Sequence, residues 1–411
     1  MPEFLSLVPP DKALDLLFSS INPVIKSEII DTEKARGRVT FEDIISPQDL
    51  PDFQRSTVDG YAVLAQGTYG ANESLPAYLT LKDEVPMGDA PGFSVSGQEC
   101  ALIHTGGMLP VGADACVMIE DTQILESGEI EIFKSVAKGE NIIKVGEDVS
   151  VGDIVIHAGT RLRPAEIGGL MALGITSIKT AKPPVIGIIS SGDEIIPPFQ
   201  KTNPGEVRDI NSYTLGTLIE DTGGEVHHYG IIADSRDEML QAIKKARQEC
   251  DHLIVTAGSS ASTRDLTAEI MDSLGEPGVL VHGINIKPGK PTIFAVSSEK
   301  VMIGLPGNPV SALVIAILLV TPIIEAYLGI KTPRPKPIIT AELTVNISSQ
   351  TGREDWIPVQ LIKTQDGSYK AEPVFGRSNL IFILARSDGL INIPASATGL
   401  EAGTLVSVRL L

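Results

Sequence analysis

Val185-Ile186-Gly187-Ile188-Ile189 is an apolar run that ends in Ser190-Ser191-Gly192-Asp193-Glu194, and this phrase, strand then small polar residues, decides the fold. It returns at His252 to Val255, followed by Thr256-Ala257-Gly258-Ser259-Ser260-Ala261-Ser262, and at Val301-Met302-Ile303, followed by Gly304-Leu305-Pro306-Gly307-Asn308-Pro309. Between these runs the period changes to that of a helix. Asn211 is expected to cap a helix carrying Leu215, Leu218 and Ile219, which Gly223-Gly224 stops before a strand over Glu225 to Ile232. Ser235-Arg236-Asp237-Glu238 reads as a capping box for a helix with Met239, Ile243 and Ala246 on one face. A helix around Leu266 to Leu274 and a strand around Val279 to Ile286 follow, and Asn308 with Pro309 opens a long apolar helix. Strands alternating with amphipathic helices predict a doubly wound, Rossmann-like α/β sheet over 181–330, mostly parallel, with ligands beyond the carboxyl ends of its strands.

Outward from this core the texture changes. Residues 46–145 show short alternating apolar segments and many turns, which predicts a β-rich or mixed inserted module. Residues 1–26, 27–45 and 146–180 are expected to form a linking module, with a helix beginning near Pro164. The linker Thr332-Pro333-Arg334-Pro335-Lys336-Pro337 introduces 331–411, whose strand-and-turn pattern predicts a small β-barrel or sandwich. The fold class is therefore multi-domain α/β.

The chain has 411 residues and a net charge of −19, so its general field does not favour nucleic acid, and any bound anion must be held by locally placed cations. Three cysteines without a C-x-x-C argue against a disulfide framework or a structural zinc site. His227 and His228 are neighbours on a strand, face opposite sides and are expected to serve packing. The start lacks a basic signal-peptide region, and Val310 to Ile324 reads as too short to span a bilayer, so a cytoplasmic protein with no membrane partner is expected.

Candidate chemistry gathers at the strand ends. The loop Thr256 to Ser262, with Gly258, Ser259, Ser260 and Ser262, can wrap an oxyanion with amides and hydroxyls, though an ordinary tight loop would look the same. Pro306, Gly307, Asn308, Pro309 and Ser311 form a second helix start, whose positive end favours an anion. Lys287-Pro288-Gly289-Lys290-Pro291 places two lysines three apart; it is not a Walker A motif, because Ile284 and Pro291 occupy its glycine and hydroxyl positions. A solvated charge pair is the plain alternative. Asp193, Glu194, Asp234 and Asp265 stand at other strand ends, each equally suited to a cap or turn. Acids and lysines on one edge make the composition of a site for a hard divalent cation and a phosphate. Asp59-Gly60-Tyr61 and His104-Thr105-Gly106-Gly107 read only as polar turns.

The chain resembles the molybdopterin molybdenumtransferase family, molybdate insertases of the MoeA type that are related to the C-terminal domain of gephyrin. The resemblance rests on Gly37-Arg38-Val39, Leu50-Pro51 through Asp59-Gly60-Tyr61-Ala62-Val63, Thr105-Gly106-Gly107, Leu109 to Ala115 and Gly146-Glu147-Asp148-Val149. Gly192-Asp193-Glu194, Arg208-Asp209-Ile210-Asn211, Lys287 to Pro291 and Pro306 to Pro309 extend it over nearly the whole length.

It implies conversion of adenylylated molybdopterin and molybdate to molybdenum cofactor with release of AMP, aided by Mg²⁺ or another divalent cation. It also implies a homodimer in which the inserted module of one subunit faces the sheet edge of the other, bringing Asp59 and Thr105 into the site. By the same resemblance Asp59, Glu194, Asp234 and Asp265 surround the metal, Lys287 and Lys290 bind anions, and Lys290, Pro291, Ser311, Arg353 and Ser378 form the molybdate pocket. The chain departs from the family pattern where Ser259 and Thr263 replace glycines, where Arg264 stands at the usual acid with Asp265 one residue later, and where Asn379 follows Ser378 in place of glycine. A molybdopterin adenylyltransferase and a non-catalytic dimeric scaffold are the alternative functions.

Overall fold

A computed structural model describes residues 7–257, 261–333 and 335–411, the side chains of 261–264 aside. Its centre is a six-stranded sheet of β1 (Val185–Ser191), β2 (Glu225–Ile232), β3 (His252–Ala257), β4 (Pro277–His282), β5 (Ile293–Ser297) and β6 (Lys300–Pro306). Their order is β2-β1-β3-β6-β5-β4. The first four pair in parallel and β5 runs against both neighbours, so the sheet is mostly parallel as expected. The helices are α1 (Asn211–Thr222), α2 (Arg236–Glu249) and α3 (Ala261–Asp272). A last run, α4, extends from Pro309 to Tyr327.

The period of two along β1 creates the layers. Ile186 and Ile188 enter a core with Leu215 and Ile219 of α1 and Ile315 and Leu319 of α4, whereas Ile189 faces Met239 and Ile243 of α2 and Ile270 of α3. The N-terminal helix Pro10–Ser19 inserts Ala13 and Leu17 into the first of these cores.

Four local expectations are corrected. Asn211 is the first residue of α1, not its cap; the buried Asp209 carboxylate receives the Ser212 backbone N–H (3.2 Å) and hydroxyl (2.5 Å) instead. Ser235 is the cap residue of α2 but makes no side-chain cap bond, so no capping box forms. The run Val279 to Ile286 is broken: β4 ends at His282, and Ile286–Lys287 pairs elsewhere. The apolar helix is 19 residues long, enough by length and composition to cross a membrane, but it is mostly buried as a core helix. Pro322 lacks the N–H that would close the α-helical ladder, and the turn before it, Ala316–Val320, widens to a π-helix. The stop at Gly223 is as expected, with φ +100°.

Residues 60–132 contain a second six-stranded sheet, with Glu99–Ile103 and Ala77–Glu84 as its middle strands and Tyr61, Val63, Leu79 and Ile130 in its core. Ser27–Asp31 pairs antiparallel with Ser177–Ala181 beside the helix Pro164–Ala172. At the C-terminus, Glu354–Lys363, Tyr369–Pro373, Ile338–Leu343, Leu405–Leu410 and Gly389–Ile393 close into a five-stranded barrel, because Glu354–Lys363 also pairs with Gly389–Ile393. Cys100, Cys116 and Cys250 are buried free thiols. His227 is exposed beside Glu225, so the packing role expected of it is not met, and His228, also exposed, stacks on Tyr213.

Candidate active site

Two clefts open where β1, β3 and β6 end, and Asn308 and Asn379 line both. The larger, about 1170 Å³, lies between the central sheet and the C-terminal barrel. It is lined by Lys287, Lys290, Pro291, Ser311, Arg353 and Ser378, the set proposed for oxyanion binding. Arg377 adds a further cation, and Asp355 is the one carboxylate among the described lining residues.

The lysine turn is held by its backbone. Ile286–Lys287 forms a short parallel ladder with Glu354–Asp355 of the barrel, the Ile284 N–H donates to the Lys290 carbonyl (2.8 Å), and the Thr292 hydroxyl donates to the Gly289 carbonyl (2.7 Å). Gly289 is required: its φ is +113°, and a Cβ there would lie 2.3 Å from Cγ1 of Ile315 on α4. Both lysines therefore start from a turn pressed against the core helix.

The start of α4 supplies the opposite wall. Asn308 is its cap residue and Pro309 its first helical residue, as expected, but the Asn308 amide does not cap the helix. It donates to the Ser378 hydroxyl (3.1 Å), while the Val310 N–H donates to the Ser378 carbonyl (3.0 Å). One barrel loop thus satisfies an open N–H of the first turn and closes the partition between the clefts. Ser311 is buried one residue further on.

The second cleft, about 280 Å³, is lined by Ser190, Ser191, Glu194, Arg208, Asp209, Asn211, Thr256, Gly307 and Pro309 among others. Asp209 anchors it, accepting from the Ser190 hydroxyl (2.8 Å), and Asn211 donates to the Gly307 carbonyl (2.8 Å). Asp234 accepts from the Ser191 hydroxyl (2.6 Å) and its N–H donates to Asp193 (3.1 Å), so Asp193, Glu194 and Asp234 stand around the ends of β1 and β2. Asp265 is exposed on α3 and lines neither cleft. Gly258, Ser259 and Ser260 lie outside the described residues, as does the Ser262 side chain.

Asp59 and Thr105 do belong together. The Asp59 carboxylate accepts the Thr105 backbone N–H (2.8 Å) and hydroxyl (3.3 Å), with His104 Nδ1 at 3.7 Å. The Thr105 N–H above all, with help from the hydroxyl and His104, holds this exposed carboxyl below the usual carboxylate range. Neither residue lines either of these two clefts. Among the described residues no three Asp, Glu, His or Cys side chains of one chain converge as metal ligands, so the four acids expected around a metal are not assembled by a single subunit.

Asp209 and Asp355 line the two clefts, and sequence reasoning assigns neither of them a role. Asp209 stands inside the quoted run Arg208 to Asn211; Asp355 follows Arg353 at strand spacing, a signal available only once that stretch is known to be a strand.

Three family models match consecutive parts of the chain: the MoeA N-terminal region, domains I and II, over residues 8–174; a "Probable molybdopterin binding domain" over 187–326; and the MoeA C-terminal region, domain IV, over 340–411. The molybdopterin molybdenumtransferase of Haemophilus influenzae is 30% identical over 97% of each chain, and that of Bacillus subtilis is 31% identical over 94% of this chain and 90% of its own. The crystal structure of the molybdopterin biosynthesis protein MoeA from Pyrococcus horikoshii OT3 superposes with a TM-score of 0.86 at 31% identity, covering 99% of this chain and 100% of that one. With family models and full-length relatives matching nearly the whole sequence, the chain belongs to the MoeA family of molybdenum cofactor biosynthesis proteins.

Proposed function

We propose that this protein is a molybdopterin molybdenumtransferase that joins molybdate to adenylylated molybdopterin and releases AMP. One observation carries the reading: in a chain of net charge −19, the cleft beside the start of α4 is lined by Lys287, Lys290, Arg353 and Arg377 against a single described carboxylate. Such a cleft concentrates an oxyanion that the rest of the surface repels. The buried Ser311 hydroxyl and the start of α4 add neutral donors, which suit a tetrahedral oxyanion. The smaller cleft, across the Asn308–Ser378 partition, offers Glu194, Ser190 and Thr256 to the nucleotide-linked pterin.

Asp193, Glu194 and Asp234 supply hard oxygen donors of the kind that Mg²⁺ takes, and Asp59 of a second subunit would complete the set. A cation held there would neutralise charge at the phosphoanhydride. The working unit on this reading is a cytoplasmic homodimer with small-molecule substrates, needing neither nucleic acid nor membrane.

The test is molybdate-dependent release of AMP from adenylylated molybdopterin. Replacing Lys287 and Lys290 together by Met is expected to slow it roughly a hundredfold with the fold intact. Undiminished release would remove the cleft from the reaction, and adenylylation of molybdopterin from ATP alone would assign the chain to the preceding step.

A further inference from the structure

Asp355 is buried, 1% exposed, in a cleft whose other described ionic groups are cations. Two ladders fix its backbone. Within the barrel it pairs with Ile393, and across the module boundary it stands opposite Lys287 in the parallel register. Its Oδ1 accepts from Arg353 Nε at 2.8 Å, its Oδ2 from Arg353 Nη2 at 3.3 Å, and Lys287 Nζ lies 3.9 Å from Oδ2.

A buried carboxylate is costly unless it is paired and hydrogen-bonded, and Arg353 pairs it through two nitrogens of one guanidinium edge. That contact fixes the guanidinium plane. The donors that remain on Arg353 are ordered before any ligand arrives, so binding need not freeze a long side chain. Asp355 has the wrong charge to touch an oxyanion; its effect must pass through the cations it holds.

We propose that Asp355 is the positioning residue of the oxyanion cleft, setting the orientation of Arg353 and drawing Lys287 toward it so that both cations meet one tetrahedral anion. This rests on the oxyanion reading of the cleft given above.

The test uses the full chain and inorganic molybdate, titrated calorimetrically without pterin. D355N is expected to weaken molybdate binding roughly tenfold, the scale of one charge-assisted hydrogen bond. The direction is informative, because removing a negative charge from the cleft would by Coulomb attraction alone tighten binding. In an R353M background the same substitution is expected to weaken binding far less, since only the longer contact to Lys287 is left for it to act through; a merely structural loss would weaken both backgrounds alike. If D355N does not fold, D355E, which keeps the charge but displaces it by one methylene, is expected to show the same dependence on Arg353. Unchanged or tighter binding by the Asp355 variant, or equal weakening in both backgrounds, overturns the proposal while leaving the cleft reading intact. Failure of the unaltered protein to bind molybdate overturns the cleft reading and this inference with it.

Discussion

Burial decides which titratable residues govern behaviour in this molecule. His252, at the start of β3, is almost wholly enclosed; its Nδ1 accepts the Val301 N–H at 3.2 Å, and its ring meets the Tyr327 ring edge-on at 4.0 Å. Burial therefore pushes its pKa down from 6.5 to about 4. The folded protein binds this proton more weakly than the unfolded chain, so stability is full above about pH 6.5 and falls as pH drops toward 4. Between pH 7 and 5 the loss from this residue should be about 2 kcal/mol in urea titrations, and H252Q should show a correspondingly flatter dependence. An unchanged slope in the variant would show that other groups govern acid sensitivity. Cys100, buried in the inserted sheet with a thiol pushed up to about 12, behaves in the opposite sense and stays protonated at neutral pH.

Among the elements, the lysine turn and α4 depend on one another. Gly289 sits against Ile315, and the backbone there has a φ that side chains disfavour. G289A is thus expected to cost about 1–3 kcal/mol through overpacking and strain, and to weaken molybdate binding because both lysines shift with the turn. Thermal unfolding and titration of the same sample check both; wild-type affinity in a destabilised variant would show that the lysines do not depend on the turn. Elements of this kind were legible in the sequence where information was local. The strand Glu225 to Ile232, the stop at Gly223 and the inward face of α2 follow from periodicity and turn chemistry. β5 escaped notice because Ile293–Ser297 is separated from β6 by only a two-residue turn, and its place depends on tertiary pairing. The cap of α1 was misassigned for a similar reason: Asp209 competes with Asn211, and the choice is made by Ser190 on another element. Asp355 is not legible because Arg353, two residues away, becomes its partner only once that stretch is a strand, and Lys287 reaches it only through a ladder between modules.

At the scale of the whole molecule, one acid of the proposed site, Asp59, lies on a different module of the chain from the cations. Asp59 is fixed by Thr105 at the end of the inserted sheet, whereas Lys290 lies in the cleft between the central sheet and the barrel. Proximity in sequence cannot join them, and neither Asp59 nor Thr105 lines either of the two clefts described above. If two subunits share each site, the consequence is arithmetic. A D59A chain retains good lysines, and a K290M chain retains a good Asp59; each homodimer has two crippled sites. In a mixed dimer one site receives both defects and the other receives neither. Co-expression of the two variants under separate tags, followed by isolation of the doubly tagged dimer, should therefore restore molybdate-dependent AMP release to roughly half the wild-type rate per dimer, since a site with all its groups regains full transition-state stabilisation. Two variants defective within a single-chain site could not rescue one another, because every site would still carry one lesion. A mixed dimer as inactive as its parents would place Asp59 outside the partner's cleft, leaving the Thr105 contact as a local turn.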